Sequence, residues 1–271
     1  MSLIDTALID TGRPPTAPAK EWRARKPALL IDGDHDLCPG CGEPIALRSL
    51  LEVIEEIGWA DRALAAVGIG CYTALTGLLD VDMVQALHGR APSLATGIKR
   101  MRPDRLVFTL QGDGDMVNEG LQEVLHSAAR GEAITCVLLN NGVFGETGGH
   151  MTATTVLGQR TKNTLGGRDA KYHGHPISMT DLLTPLGGVS YVARGTVTTA
   201  RDVEKTRRYL RRALEAQIAG KGFSFVEILT MCPTGWFIPV TEGPGYLNET
   251  IAPVFRTGEF KVDGAAQEVS R

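Results

Sequence analysis

The chain has 271 residues, 43% hydrophobic and 22% charged, with a net charge of −3 at pH 7. That composition suits one large globular domain and excludes a disordered or fibrous chain. The weak negative charge argues against a nucleic-acid partner, and no apolar run nears the ~20 residues of a membrane span or forms a signal-peptide core, so a cytoplasmic protein is expected.

Residues 1–30 are rich in Pro, Ala and charge and show no period, which predicts an N-terminal arm. A main domain is expected over 31–240 and a C-terminal tail over 241–271. "EPIALRSLLEVIEEIG" predicts a helix with Pro44 in its first turn, apolar residues every three or four positions, and Gly58 to stop it. "ALAAVGIG" reads as a short buried strand. Ser93 is the expected cap of a helix over "LATGIKRMR", ended by Pro103. "RLVFTLQ" is a strand, "MVNEGLQEVLHSAARG" a helix closing on Gly131, and "AITCVLLN" a strand. A Gly-rich loop of some 30 residues follows. Then come a helix at "SMTDLLTPLGG", a strand at "VSYVARGTV", a helix over 200–219 and a strand at "FSFVEILT". The basic cluster "RDVEKTRRYLRR" lies over an apolar stripe of Val203, Leu210, Leu214 and Ile218, which predicts the solvated face of a surface helix. Alternating β and α elements predict an α/β fold, a parallel sheet with helices on both faces.

Gly112-Asp113-Gly114-Asp115 falls where a strand ends and a helix begins, the edge at which such sheets bind ligands. Glycines admit a close backbone, and a helix N-terminus favours phosphate. A spacer of 25 residues then leads to Asn140-Asn141 at the end of the next strand. One helix and one strand fill that spacer, so two neighbouring strand ends would present Asp113 and Asn141 to one point. Their oxygens are hard ligands suited to Mg²⁺. The pattern resembles the thiamine diphosphate signature. In that family a carbonyl two residues past the second Asn completes the set, which is Val143 here.

Cys38 and Cys41 sit in "CPGCGEP", and Cys71 and Cys232 each follow a strand, in "GIGCY" and "TMCPTGW". Cys136 is mid-strand and reads as a small buried hydrophobe. Four thiols at turns and strand ends fit a zinc site as well as an iron–sulfur cluster. A dithiol redox pair would have no use for Cys71 or Cys232.

Taken with "HGRAPSLATGIKRMRPD", "GDGD" and "NNGVFGETGG", these segments resemble the β subunit of 2-oxoacid:ferredoxin oxidoreductases, from about Asp36 to Trp236. The resemblance implies the thiamine diphosphate-binding fold and three cofactors: thiamine diphosphate, Mg²⁺ on Asp113, Asn141 and Val143, and a 4Fe–4S cluster on Cys38, Cys41, Cys71 and Cys232. It implies that Ile69, Gly70, Cys71, Tyr72, His88, Gly114, Asp115, Gly145 and Glu146 contact the thiamine cofactor. The implied reaction is coenzyme A-dependent oxidative decarboxylation of a 2-oxoacid to an acyl-CoA and CO₂, with electrons leaving singly through the cluster to ferredoxin or a similar acceptor. Implied partners are an α subunit supplying the glutamate at the cofactor's pyrimidine, and γ and ferredoxin-like δ subunits.

Relatives commonly carry Tyr-Gly-x-Thr-x-Gly-Gln after the paired Asn, where this chain has "FGETGGH". Phe144 lacks the hydroxyl, Glu146 stands at the variable position, and His150 replaces Gln. A carboxylate at 146 facing the substrate would repel a second substrate carboxylate, which favours an apolar, branched or aromatic 2-oxoacid. His150 is either an acid/base group or a local hydrogen-bonding residue, and His173 and His175 have no third metal ligand in sequence. Two rivals share parts of the pattern: a non-oxidative thiamine diphosphate decarboxylase or synthase, and a zinc-stabilised scaffold subunit.

Overall fold

A computed structural model of the chain describes residues 26–269, so the expected arm lies, up to residue 25, outside the described residues. The predicted strands form at Ala63–Val67 (β1), Leu106–Gly112 (β3), Thr135–Asn140 (β4), Val189–Thr196 (β7) and Phe223–Leu229 (β8). Two further strands, Asp82–Gln85 (β2) and Gly258–Val262 (β9), are not expected from the sequence. A two-residue strand, Ala265–Ala266 (β10), follows β9. The sheet runs β10-β9-β7-β8-β4-β3-β1-β2. Pairings from β2 across to β7 are parallel, and β9 joins β7 antiparallel. The segment expected as a tail thus contributes an edge to the sheet.

Four long helices cover the faces: Glu43–Glu56 (α1), Ala91–Met101 (α2), Leu121–Ala129 (α3) and Ala200–Ile218 (α4). Leu47, Leu50 and Ile54 of α1 meet Leu210 and Leu214 of α4 in one apolar layer. Ala91 and Ala95 of α2 meet Val124 and Ala128 of α3 in the other. Burying such side chains is worth roughly 1.5–3 kcal/mol each, which fixes the α/β order of the sequence into three layers.

Three local expectations are corrected. Helix α2 begins at Ala91 rather than after Ser93, because Pro92 occupies its first turn; Ser93 bonds Glu123 instead of capping. The helix after Asp113 is split into a wide turn at Gly114–Glu119 and α3, and Gly120 lies between them against the backbone of Gly89. Neither glycine tolerates a Cβ there, and Gly89 has φ +74°. The basic face of α4 is not wholly solvated. Arg207 is buried and pairs with Glu52 of α1 at 3.2 Å and with Glu56. Among the described residues no helix is long and apolar enough to cross a membrane.

Candidate cofactor site at the carboxyl edge of the sheet

Parallel strands all end at one edge, and β1, β3, β4 and β8 deliver their following residues there. Gly112 of β3 is in register with Leu139 of β4, which brings Asp113 beside Asn141. The backbone N–H of Asn141 approaches Asp113 Oδ1 at 3.5 Å. Asp113 is 1% exposed, and its Oδ2 accepts from the hydroxyls of Thr152 at 2.6 Å and Thr154 at 2.7 Å. Burial pushes its carboxyl up to about 6, against the pull of those donors. Asn141 Oδ1 accepts from the Val143 N–H at 3.1 Å, and the Trp236 indole N–H donates to the Asn141 carbonyl at 2.7 Å.

Every residue expected to contact the thiamine cofactor lines one cleft at this edge, together with Asp113, Asn141 and Val143. Asp115, buried, accepts from the backbone N–H of Gly89 at 2.9 Å and from Gln111 Nε2 at 2.6 Å. His88 bridges Asp115 and Glu119, its Nδ1 being 3.2 Å and 3.1 Å from their carboxylates. The Tyr72 phenol is held well above its usual range, first by burial and then by the charge of Asp115. Gly114 has no room for a side chain because the ring of Phe144 lies over it.

Glu43 also lines the cleft, and sequence reasoning misses it. It opens α1, where a glutamate reads as a partner for the helix dipole. Folding instead buries it to 2% exposure; Asn141 Nδ2 donates to its Oε1 at 3.4 Å, and Oε2 has no partner. Burial, then the charges of Asp113 and Glu146, raise its carboxyl to about 8. Thr152 and Thr154 are missed as well, since nothing in "HMTATT" marks them as donors to a residue some 40 positions earlier.

The four cysteines gather at the same edge. Cys41 N–H donates to the Cys38 carbonyl at 3.1 Å, and Gly42 N–H to the Met231 carbonyl at 2.9 Å, tying the Cys38 loop to the segment that carries Cys232. A Cβ placed on Gly145 would stand 3.3 Å from Cys71 Sγ and 3.5 Å from Cys232 Sγ. Cys71 and Cys232 are pushed up to about 12, by burial first. Burial also raises Cys41, with Glu43 adding to it. Each of these thiols feels the charge of another in the set. Among the described residues no three cysteine sulfurs lie within 4.8 Å of one another. Cys136 stands apart, fully buried within β4.

A cation fits the Asp113–Asn141 pair on the chemistry of its donors: a buried carboxylate already satisfied on one oxygen, an amide oxygen, and the unpartnered Glu43 oxygen close by. His150 does not line the cleft; its Nδ1 is 3.2 Å from the Thr147 hydroxyl in a hairpin of Val143–Phe144 (β5) and His150–Met151 (β6). The long loop that follows is organised by Arg168, whose guanidinium donates to the carbonyls of Thr152, Ala153, Thr155, His173, Gly174 and His175. His173 and His175 thus serve the loop through their carbonyls, and His173 Nδ1 also accepts from the Asp169 N–H at 3.0 Å.

Residues 64–228 match the family described as "Thiamine pyrophosphate enzyme, C-terminal TPP binding domain". The chain is 36% identical over 231 residues to the ketoisovalerate oxidoreductase subunit VorA of Methanothermobacter thermautotrophicus, covering 85% of this chain and 48% of that protein. It is 36% identical over 203 residues to the 2-oxoglutarate synthase subunit KorB of Methanocaldococcus jannaschii, covering 74% and 70%. A solved 2-oxoglutarate:ferredoxin oxidoreductase from Magnetococcus marinus, with 2-oxoglutarate, coenzyme A and succinyl-CoA bound, superposes with a TM-score of 0.68 at 29% identity, over 78% of this chain and 69% of that one. The chain spans about half the length of the VorA relatives it matches.

Proposed function

Because the chain belongs to the thiamine diphosphate-binding subunits of the 2-oxoacid:ferredoxin oxidoreductase family, we propose that it is the subunit in which a 2-oxoacid is oxidatively decarboxylated to an acyl-CoA. The observation that carries this reading is the shared wall at Gly145: the cleft that holds Asp113 and Asn141 also contains Gly145, and the sulfurs of Cys71 and Cys232 lie directly against it. A non-oxidative decarboxylase has no use for thiols in that position.

In this reading Asp113, Asn141 and the Val143 carbonyl hold Mg²⁺, and Thr152 and Thr154 fix which Asp113 oxygen is free to do so. Glycines 112, 114 and 145 let backbone approach the cofactor. When bound, thiamine diphosphate supplies the carbon nucleophile and a 4Fe–4S cluster the single-electron exit. Cys38, Cys41, Cys71 and Cys232 would surrender their protons on binding iron, which makes that binding pH-dependent. Glu146 is exposed at the mouth of the cleft. Its charge favours a 2-oxoacid with an apolar branched or aromatic side chain, in keeping with the ketoisovalerate named for the VorA relative. The α, γ and δ subunits, ferredoxin and coenzyme A enter as partners on the same family grounds.

The test is anaerobic isolation with metal analysis. Brown protein with about four irons is expected, with the colour lost in Cys38→Ser and Cys232→Ser but kept in Cys136→Ser. Stoichiometric zinc without iron would reject the oxidoreductase reading.

A further inference from the structure

Arg194 of β7 and Glu227 of β8 are opposite each other in register and form an ion pair at 2.8 Å, with side chains only 2% and 1% exposed. Replacing so deep a pair by apolar residues is often neutral or stabilising, so stability gives no reason for it to be charged. Its surroundings give one. The second Glu227 oxygen accepts from Asn140 Nδ2 at 2.7 Å. Asn140 Oδ1 in turn accepts from the Gly142 N–H at 3.0 Å. Gly142 has φ +71° and is the middle of the Asn141–Val143 turn. A carboxylate only accepts hydrogen bonds, so Glu227 admits one orientation of the Asn140 amide, nitrogen towards itself and oxygen towards Gly142. Arg194 Nε donates to the other Glu227 oxygen at 2.8 Å and so holds that carboxylate in place. Its remaining donors go to Ser178 Oγ at 3.0 Å, Thr180 Oγ1 at 2.8 Å and the Arg256 carbonyl at 3.2 Å, and it lies over the rings of Phe255 and Phe260.

We infer that Arg194 and Glu227 are positioning residues for the Asn141–Val143 turn, acting through the one-way amide of Asn140. The role rests on the reading of that turn as the Mg²⁺–diphosphate clamp, but the geometry of the turn can be measured without any cofactor.

Glu227→Gln removes the direction, because its amide can donate to Asn140 and let that side chain flip, leaving the Gly142 N–H without an acceptor. Asn140→Asp combined with Glu227→Gln restores it. The carboxylate then sits on β4, where it accepts from both the new amide on β8 and the Gly142 N–H, and the count of negative charges is unchanged. Two readouts on the full chain separate the possibilities. Amide exchange of Gly142 in cofactor-free protein is expected to quicken at least tenfold in Glu227→Gln and to return towards the parent rate in the double variant. The Mg²⁺ concentration for half-maximal thiamine diphosphate binding should rise about tenfold or more and recover likewise, as for other residues that orient metal ligands. If Glu227→Gln fails to fold, recovery of both fold and Gly142 protection in the double variant is the expected result. Unchanged Gly142 exchange in folded Glu227→Gln, or a double variant no better than the single, overturns the inference. A parent chain that binds thiamine diphosphate without regard to Mg²⁺ refutes the clamp reading, while the exchange data still decide the positioning of the turn.

Discussion

Glu43 has both carboxyl oxygens out of water and a donor for only one of them, in a cleft that already holds Asp113 and lies near Glu146. A carboxyl raised from 4.5 to about 8 favours the folded chain fully below the lower value, and that advantage is lost as pH climbs through the upper one. Glu43→Gln keeps the acceptor for Asn141. Its cofactor-free melting temperature should match the parent near pH 4.5 and exceed it increasingly towards pH 8; a constant offset across that window would mean that Glu43 ionises normally. Glu146 makes a second prediction. Glu146→Lys should raise turnover of 2-oxoglutarate relative to 2-oxoisovalerate, by turning repulsion of the distal carboxylate into attraction; an unchanged ratio in the assembled enzyme would remove Glu146 from the substrate. Asp113 and Asn141 are legible in sequence because their spacing equals one helix and one strand. Glu43, Thr152 and Thr154 are not, because their roles come from distant segments meeting and leave no local pattern.

At the scale of elements, the loop between β4 and β7 is the least regular part of the site, and Arg168 holds it together. Arg168→Met would leave several carbonyls without a donor, and buried ones among them cost about 1–3 kcal/mol each. The expected result is a loss of roughly 3 kcal/mol in urea unfolding, with faster proteolysis within 145–178 and weaker Mg²⁺-dependent cofactor binding, since Thr152 and Thr154 ride on that loop. Intact binding with a proteolysed loop would separate the loop from Asp113. The long helices and the buried strands are readable from apolar periodicity alone. Strands β2 and β9 are not: β2 is a largely exposed edge of four residues, and β9 is a short antiparallel addition stranded among turns. Ser93 misleads because a cap signal and Pro92 stand side by side, and the proline prevails.

For the molecule as a whole, the described residues form a single three-layer domain whose cleft opens at one sheet edge. Thiamine enzymes hold the two ends of the cofactor on two such domains; in the proposed reading the glutamate that activates the pyrimidine belongs to a partner α subunit. This chain, with cluster, thiamine diphosphate, Mg²⁺, coenzyme A, a 2-oxoacid and an artificial acceptor, should turn over only after an α subunit is added; turnover near the complete enzyme's without it would refute the two-domain view. The strand order carries a further consequence. β8 lies between β4 and β7, next to strands made before it, and Cys232 follows β8 directly. At roughly 5–20 residues per second, the ribosome releases Cys232 about 10 to 40 s after Cys38. Until then the first three thiols wait without their fourth companion, exposed to whatever oxidants the nascent chain meets. In the proposed reading, a cluster on all four cysteines can therefore be completed only after Cys232 has been made.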